Sequence, residues 1–220
     1  MITVALDAST YAGSVAVLDG SRLVAERDVT MKGGDPQQER LMPAVAAALA
    51  QAHVTSRDVR RIVCGSGPGS FTSLRIAASI AKGLAFGLGC PLCAVPSLAL
   101  IVAAASPRAG SYLAALDALR GEMYVGLYAV TPDGEVDETE APRLAPSGSI
   151  ETLATRMAAS VVGPGMVATR RVLEGCRTSR ACCALADRWR SRHGNRHTAV
   201  SRRHRYDGNR HTVVRCLRRE

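Results

Sequence analysis

No unbroken apolar run in this sequence reaches about 18 residues, the length that a membrane-spanning helix needs. Residues Met1 to Val4 also lack the basic segment that opens a secretory signal peptide. The sequence therefore gives no support for secretion or membrane insertion. We expect a cytoplasmic protein that has no membrane partner.

Cysteine is scarce before residue 166, where only positions 64, 90 and 93 carry it. All three lie in or beside apolar stretches, which is typical of reduced thiols in the core of a cytosolic protein. Cys90 and Cys93 have the spacing of a redox motif. No second cysteine pair exists in this part of the chain, so a redox or metal site is not favoured there.

Charge is distributed unevenly along the chain. Residues 1–165 carry 13 Lys and Arg against 15 Asp and Glu, whereas residues 166–220 carry 15 against 4. The basic residues of the second part are all arginine. The positive formal net charge of the whole chain, +9, therefore comes entirely from its last quarter. The near-neutral first part is long enough to bury a core of its own.

Apolar periodicity predicts two successive α/β units. An antiparallel meander of three strands comes first, and strands then alternate with helices. The stretch 106–111 predicts a boundary between a lobe of residues 1–105 and a smaller lobe of residues 106–165. The predicted strands are 3–6, 14–18, 22–28, 61–64, 92–95, 112–116, 123–130, one after Gly134, and 160–163, and the predicted helices are 36–52, 72–88, 97–105 and 150–159.

A glycine-rich segment, Gly65 to Arg75, lies between a predicted strand and a predicted helix. Glycines at 67 and 69 permit a close backbone approach, and Ser70 can cap the helix whose N-terminal N–H groups favour anions. The segment contains no lysine and does not match the order of a P-loop. A phosphate-binding loop and a tight strand-to-helix turn both remain open on pattern alone.

Three motifs carry a resemblance to a known family. Residues 67–75 read Gly-Pro-Gly-Ser-Phe-Thr-Ser-Leu-Arg, residues 2–10 read Ile-Thr-Val-Ala-Leu-Asp-Ala-Ser-Thr, and residues 117–124 read Asp-Ala-Leu-Arg-Gly-Glu-Met-Tyr. In this order and spacing they resemble the TsaB (YeaZ) family over residues 1–165. The motifs differ from the usual family pattern at three positions, Ala8, Ser73 and Leu119.

The resemblance implies an actin, heat-shock and sugar-kinase-like (ASKHA) α/β fold of two lobes, the first complete and the second truncated. It implies a non-catalytic subunit of the machinery that places threonylcarbamoyl on the adenosine beside the tRNA anticodon. The implied partners are TsaD, the ATPase TsaE and, through the complex, tRNA, with a homodimer when TsaD is absent. ATP and a metal ion would belong to the partner complex, and the chain would need no cofactor of its own.

The resemblance also implies that the helices at 36–52 and 72–88 form a helical bundle with TsaD. An alternative stays open, in which their apolar stripes face the sheet of their own lobe. The residues predicted to form the partner interface are Leu41, Val45, Leu49, Leu74, Ala77, Ala78, Ala81 and Ala85.

An independent ATP-using enzyme of the ASKHA class is the alternative function. Its phosphates would meet the turn after the first strand and the glycine-rich segment. The cationic clamps that phosphoryl transfer needs are missing, and Asp7 is also explained as a turn cap. The candidate nucleotide or phosphate residues are Asp7, Ser9, Thr10, Gly67, Gly69 and Ser70.

A metal site is not expected in residues 1–165. The resemblance implies that the catalytic relative TsaD holds its metal through a His-x-x-x-His pair on a first-lobe helix. The corresponding helix here, 36–52, contains no histidine. His193 and His197 have that spacing but lie in the arginine-rich part of the chain.

Residues 166–220 form an arginine-rich tail that the resemblance does not cover. Three interpretations stay open: a zinc site built from its cysteines and histidines, an RNA-binding tail that contacts phosphates, and translation in an altered reading frame. The last would give a largely disordered segment, since such a sequence has not been selected to pack.

Overall fold

The computed structural model describes residues 1–31, 40–105 and 108–164, together with the backbone of residues 216–217. The predicted start of the first helix at Pro36 and nearly all of the tail lie outside these residues. Within them the strands and helices are, in chain order, β1 (Ile2–Asp7), β2 (Ala12–Asp19), β3 (Arg22–Thr30), α1 (Leu41–Gln51), β4 (Val59–Gly65), α2 (Phe71–Leu88), β5 (Leu92–Val95), α3 (Ser97–Ala104), β6 (Gly110–Leu119), β7 (Glu122–Val130), β8 (Val136–Pro146), α4 (Ile150–Arg156), β9 (Ser160–Val162) and β10 (Cys216–Leu217).

The first lobe is built on a six-stranded sheet in the order β10-β5-β4-β1-β2-β3. The predicted meander is confirmed, because β1 pairs with β2 and β2 with β3, both antiparallel. Strands β4 and β5 follow in parallel with β1, as strands separated by helices do. The short strand β10 pairs antiparallel with β5 at the edge of the sheet.

Helices α1 and α2 cover one face of this sheet. Side chains of β1 and β2 alternate between the two faces, and those of the first face pack under the helices. They form one core with the buried residues of both helices, which includes Val4, Leu6, Val15, Val17, Leu41, Val45, Ala48, Ile62, Ala77, Ala81 and Ala85.

Helix α3 lies between the two sheets of the molecule. Six of its eight residues are buried, because apolar side chains occupy its whole circumference. Leu100 packs with the second face of the first sheet, whereas Ile101 and Val102 pack with Tyr128 of the second lobe. One helix therefore contributes to the cores of both lobes.

The second lobe has a four-stranded sheet in the order β8-β7-β6-β9. One face packs on α3, and the other packs on α4 through Ile150 and Leu153. The predicted ASKHA plan of one larger and one smaller lobe is confirmed by this arrangement. Some predicted boundaries were wrong: the predicted strand 112–116 extends over Gly110–Leu119, and the predicted helix 150–159 ends at Arg156, after which the chain turns at Ala158 with a φ of 47°.

By length and composition alone, α2 is long and apolar enough to cross a membrane. The core helix of a soluble protein passes the same test, so this is weak support for a membrane span. Four residues of α2 are buried against the sheet of the first lobe, namely Ser73, Ala77, Ala81 and Ala85.

Candidate functional site

Asp7 ends strand β1 in the interior of the first lobe, where its side chain is fully buried. Its Oδ2 accepts hydrogen bonds from the hydroxyl of Ser9 at 2.6 Å and from the backbone N–H of Ser9 at 3.2 Å. Its Oδ1 accepts the hydroxyl of Ser97, at the start of α3, at 2.8 Å. Three neutral donors thus hold the carboxyl in one orientation.

The glycine-rich segment closes over this carboxyl. The N–H of Gly67 donates to the Ser97 hydroxyl oxygen at 3.0 Å, and the N–H of Ser97 donates to the Gly67 carbonyl at 2.8 Å. The N–H of Ser70 donates to the Ser9 carbonyl at 2.8 Å. A Cβ at position 69 would collide with the backbone of Ser9, so only glycine permits this approach.

Burial raises the pKa of the Asp7 carboxyl above its ordinary value of 3.8, against the hydrogen bonds from Ser9 and Ser97, which lower it. The same environment acts on Cys64, whose thiol pKa rises to about 12 through burial and then through the nearby Asp7 charge. A thiol with so high a pKa is a poor nucleophile and behaves as a core residue.

The six candidate phosphate residues lie in two neighbouring segments, and their polar groups form hydrogen bonds within the chain. Asp7 and Ser9 are buried and bonded to each other, as the alternative of a turn cap at Asp7 has it. The Thr10 hydroxyl donates to the carbonyl of Ala12, and the Ser70 hydroxyl pairs with that of Ser73. Nucleotide binding stays a prediction that this geometry does not favour.

The predicted interface residues of α1 and α2 divide into two groups. Leu49, Leu74 and Ala78 are half-buried. The remaining five are buried against the sheet of their own lobe, as the alternative has it, and their place in a partner interface stays a prediction: Leu41, Val45, Ala77, Ala81 and Ala85. The physical reason is that alanine lets a helix lie close to its sheet as readily as to a partner helix.

The outer face of α2 carries two exposed aromatic side chains. Phe71 is 73% exposed and Phe86 is 68% exposed, and they are the two phenylalanines of the whole chain. The Arg75 guanidinium lies over the Phe71 ring, 5.3 Å from its centroid. Gly83, which lies between the two phenylalanines in the sequence, is exposed, and a Cβ there would meet no atom within 4 Å.

Helix α1 adds to the same side of the molecule, because it covers the same face of the sheet as α2. Met42 is 41% exposed on its outer side, and small residues follow it at Ala46, Ala47 and Ala50. We call this surface, composed of Met42, Ala46, Ala47, Ala50, Phe71, Arg75, Gly83 and Phe86, the outer helix face. A helical plot centred on the two phenylalanines, instead of on the alanines, would have found it from the sequence.

The third motif, residues 117–124, forms the hairpin between β6 and β7. Leu119 and Arg120 both have left-handed backbone angles, with φ of 67° and 55°. The Asp117 carboxylate accepts the N–H of Leu119 at 2.8 Å and stabilises this turn. Among the described residues, no group of three or more His, Cys, Asp and Glu side chains is arranged to hold a metal ion.

Comparison with known proteins gives consistent matches. The family model described as "TsaD: tRNA N6-adenosine threonylcarbamoyltransferase" matches residues 35–172. The tRNA threonylcarbamoyladenosine biosynthesis protein TsaB of Bacillus subtilis is 36% identical over 128 residues, and that of Escherichia coli is 33% identical over 145 residues. These alignments cover 58% and 64% of this chain but span only 55% and 62% of the two relatives.

A solved structure supports the same assignment. YeaZ from Pseudomonas aeruginosa superposes with a TM-score of 0.68 at 26% sequence identity, covering 87% of this chain and 92% of that chain. The fold, the three motifs and the sequence matches agree with one another. They show that the chain belongs to the TsaB (YeaZ) family, whose curated members are named for tRNA threonylcarbamoyladenosine biosynthesis.

Proposed function

We propose that this protein is a non-catalytic subunit of the tRNA threonylcarbamoyladenosine machinery, which binds TsaD and supports its threonylcarbamoyl transfer. The observation that carries the proposal is the outer helix face. It carries two aromatic side chains that are more than half exposed, and aromatic rings of this kind anchor protein interfaces.

The shape of the outer helix face suits another helix. Gly83 leaves the backbone of α2 accessible between the rings of Phe71 and Phe86, and the exposed alanines of α1 leave its outer side flat. Ridges of a partner helix can enter such a surface, while the two rings enter pockets on the partner. Arg75 and Lys82, both exposed on α2, would form the polar rim.

The buried Asp7 supports the non-catalytic part of the proposal. Phosphoryl transfer needs a carboxylate that can reach a metal ion and phosphates. In this structure the carboxyl is enclosed by Ser9, Ser97 and the glycine-rich segment. ATP, the metal ion and the contacts with the ATPase TsaE and with tRNA are therefore assigned to TsaD and the assembled complex.

The same face would serve a homodimer when TsaD is absent. A face of this composition exposes apolar area that a second copy can cover symmetrically. TsaD and the second copy would then compete for one surface. Addition of TsaD to the homodimer is expected to give a heterodimer rather than a larger assembly.

Titration of the purified chain with TsaD tests the proposal, with complex mass measured by light scattering. We expect a one-to-one complex at micromolar concentration, formed equally by a version that ends at Pro164. If neither version associates with TsaD, the subunit proposal is wrong. Phosphate release from ATP by the chain alone, abolished by Asp7→Ala, would favour the ASKHA enzyme instead.

A further inference from the structure

The Asp7 carboxyl joins segments of the first lobe that are distant in sequence. One of its oxygens is bonded to Ser9 in the turn after β1, and the other is bonded to Ser97, 90 positions further along the chain. The backbone of Gly65, at the end of β4, lies so close that a Cβ there would collide with the carboxyl. Three elements therefore meet at one buried side chain.

Ser97 extends this contact to the glycine-rich segment. Its hydroxyl donates to Asp7 and accepts the N–H of Gly67, and its own N–H donates to the Gly67 carbonyl. At the other end of the segment, Ser70 is bonded to the carbonyl of Ser9. Helix α2 begins at the next residue, Phe71. The position of the first turn of α2 thus depends on the groups that surround the carboxyl.

We propose that Asp7 is a positioning residue that fixes the glycine-rich segment and, through it, the first turn of α2, so that Phe71 and Arg75 are held in place on the outer helix face. It acts through its hydrogen bonds and not as a ligand for a cation or a phosphate. The proposal rests on the proposed function, because the outer helix face is the surface assigned there to TsaD.

The hydrogen bonds predict which substitution is tolerated. In Asp7→Asn the remaining oxygen can accept from Ser9, while the amide N–H donates to the Ser97 hydroxyl, which has two lone pairs and still accepts from Gly67. Only the Ser97 hydroxyl hydrogen loses its acceptor. Asp7→Ala leaves all three donors without an acceptor. If Asp7 acted through its negative charge, both variants would lose its role equally.

Hydrogen exchange of the full chain without TsaD tests the positioning directly. Asp7→Ala is expected to accelerate exchange in residues 66–75 by about tenfold, and Asp7→Asn by less than about threefold. Exchange near Leu88, at the far end of α2, should change little in either variant. Gly65→Ala should resemble Asp7→Ala, because its Cβ displaces the carboxyl without removing it.

The affinity for TsaD should fall in the same order, weakest for Asp7→Ala and nearly unchanged for Asp7→Asn. If Asp7→Ala does not unfold in one cooperative transition, Ser97→Ala is the milder variant, and Ser111→Ala, an exposed serine of the second lobe, is its control. Unchanged exchange in residues 66–75 of the folded variant overturns the proposal, as does equal damage from Asn and Ala. Wild-type protein that fails to bind TsaD refutes the proposed function but leaves the exchange result intact.

Discussion

The two faces of helix α2 differ in how far their side chains are covered. An amphipathic helix usually buries its largest apolar side chains and exposes its small and polar ones. Here the fully buried residues are alanines and Ser73, larger aliphatic side chains such as Ile80 and Leu84 are partly buried against the same core, and the exposed face carries Phe71 and Phe86. The small inner residues let the helix lie close to its sheet. The large outer rings remain mostly exposed until a second surface covers them, so we expect the stability of the lobe and its capacity to bind to depend on different residues.

The largest expected effect comes from adding volume to the inner face. Ala81 is fully buried, so Ala81→Leu should lower the free energy of unfolding by about 1 to 3 kcal/mol, because a well-packed core resists extra methylene groups. Urea unfolding followed by circular dichroism measures this. The family resemblance predicted Ala81 in the partner interface, and a fully stable Ala81→Leu protein that fails to bind TsaD would support that prediction.

Truncation on the outer face should weaken TsaD binding and leave the free energy of unfolding almost unchanged. Phe86→Ala is expected to change the free energy of unfolding by less than about 0.5 kcal/mol, since the ring is exposed. It should weaken TsaD binding by about 2 kcal/mol, roughly thirtyfold in Kd, as the loss of an interface anchor does.

Leu144→Ala is the matched control for Phe86→Ala, because Leu144 is an exposed apolar residue of the second lobe. Isothermal titration calorimetry with TsaD gives both dissociation constants. Equal affinities for the two variants would show that the outer helix face is not the contact surface.

A substitution on the outer face can raise stability while it lowers affinity. Gly83 lies in the middle of α2 with open space around it, so Gly83→Ala should stabilise the chain by about 0.4 to 1 kcal/mol. The added methyl group would at the same time separate α2 from a partner helix. A thermal melt and a TsaD titration measure the two effects, and improved stability with unchanged binding would place Gly83 outside the contact.

The smallest expected effect is a difference between the wild type and Asp7→Asn in how the free energy of unfolding depends on pH. The folded-state pKa of Asp7 is raised by burial, so its contribution to stability is fully present below the ordinary value of 3.8 and is lost as pH rises through the folded pKa. Asp7→Asn has no such group. The unfolding free energy of the wild type relative to Asp7→Asn should therefore fall over that pH range, and a constant difference would contradict the raised pKa.

Local patterns in the sequence were sufficient to predict most strands and helices of the first lobe. Alternating apolar residues predicted β1 to β3, and the glycines after β4 predicted the turn into α2. Each of these elements depends on neighbours that are close in the chain. The sequence motifs also led to the family that the comparisons confirm.

The two features that matter most at the site depend on contacts between distant residues. A stripe of alanines fits a sheet or a partner helix equally well, so periodicity did not reveal which face of α2 is buried. The bond between Asp7 and Ser97 joins residues 90 positions apart, and no local pattern indicates it. From the sequence, Asp7 was either a phosphate-facing carboxylate or a turn cap, and in the fold its carboxyl is a buried hydrogen-bond acceptor for Ser9 and Ser97.

The position of α3 between the sheets has a consequence for how the molecule unfolds and moves. Its side chains pack in both cores, so the second lobe lacks part of its core without α3, and α3 loses its cover on one side without the second lobe. The two lobes should therefore melt in a single transition. A hinge motion of one lobe against the other would have to separate α3 from one of its cores. A partner bound on the outer helix face would consequently meet a rigid block and not a clamp that opens and closes.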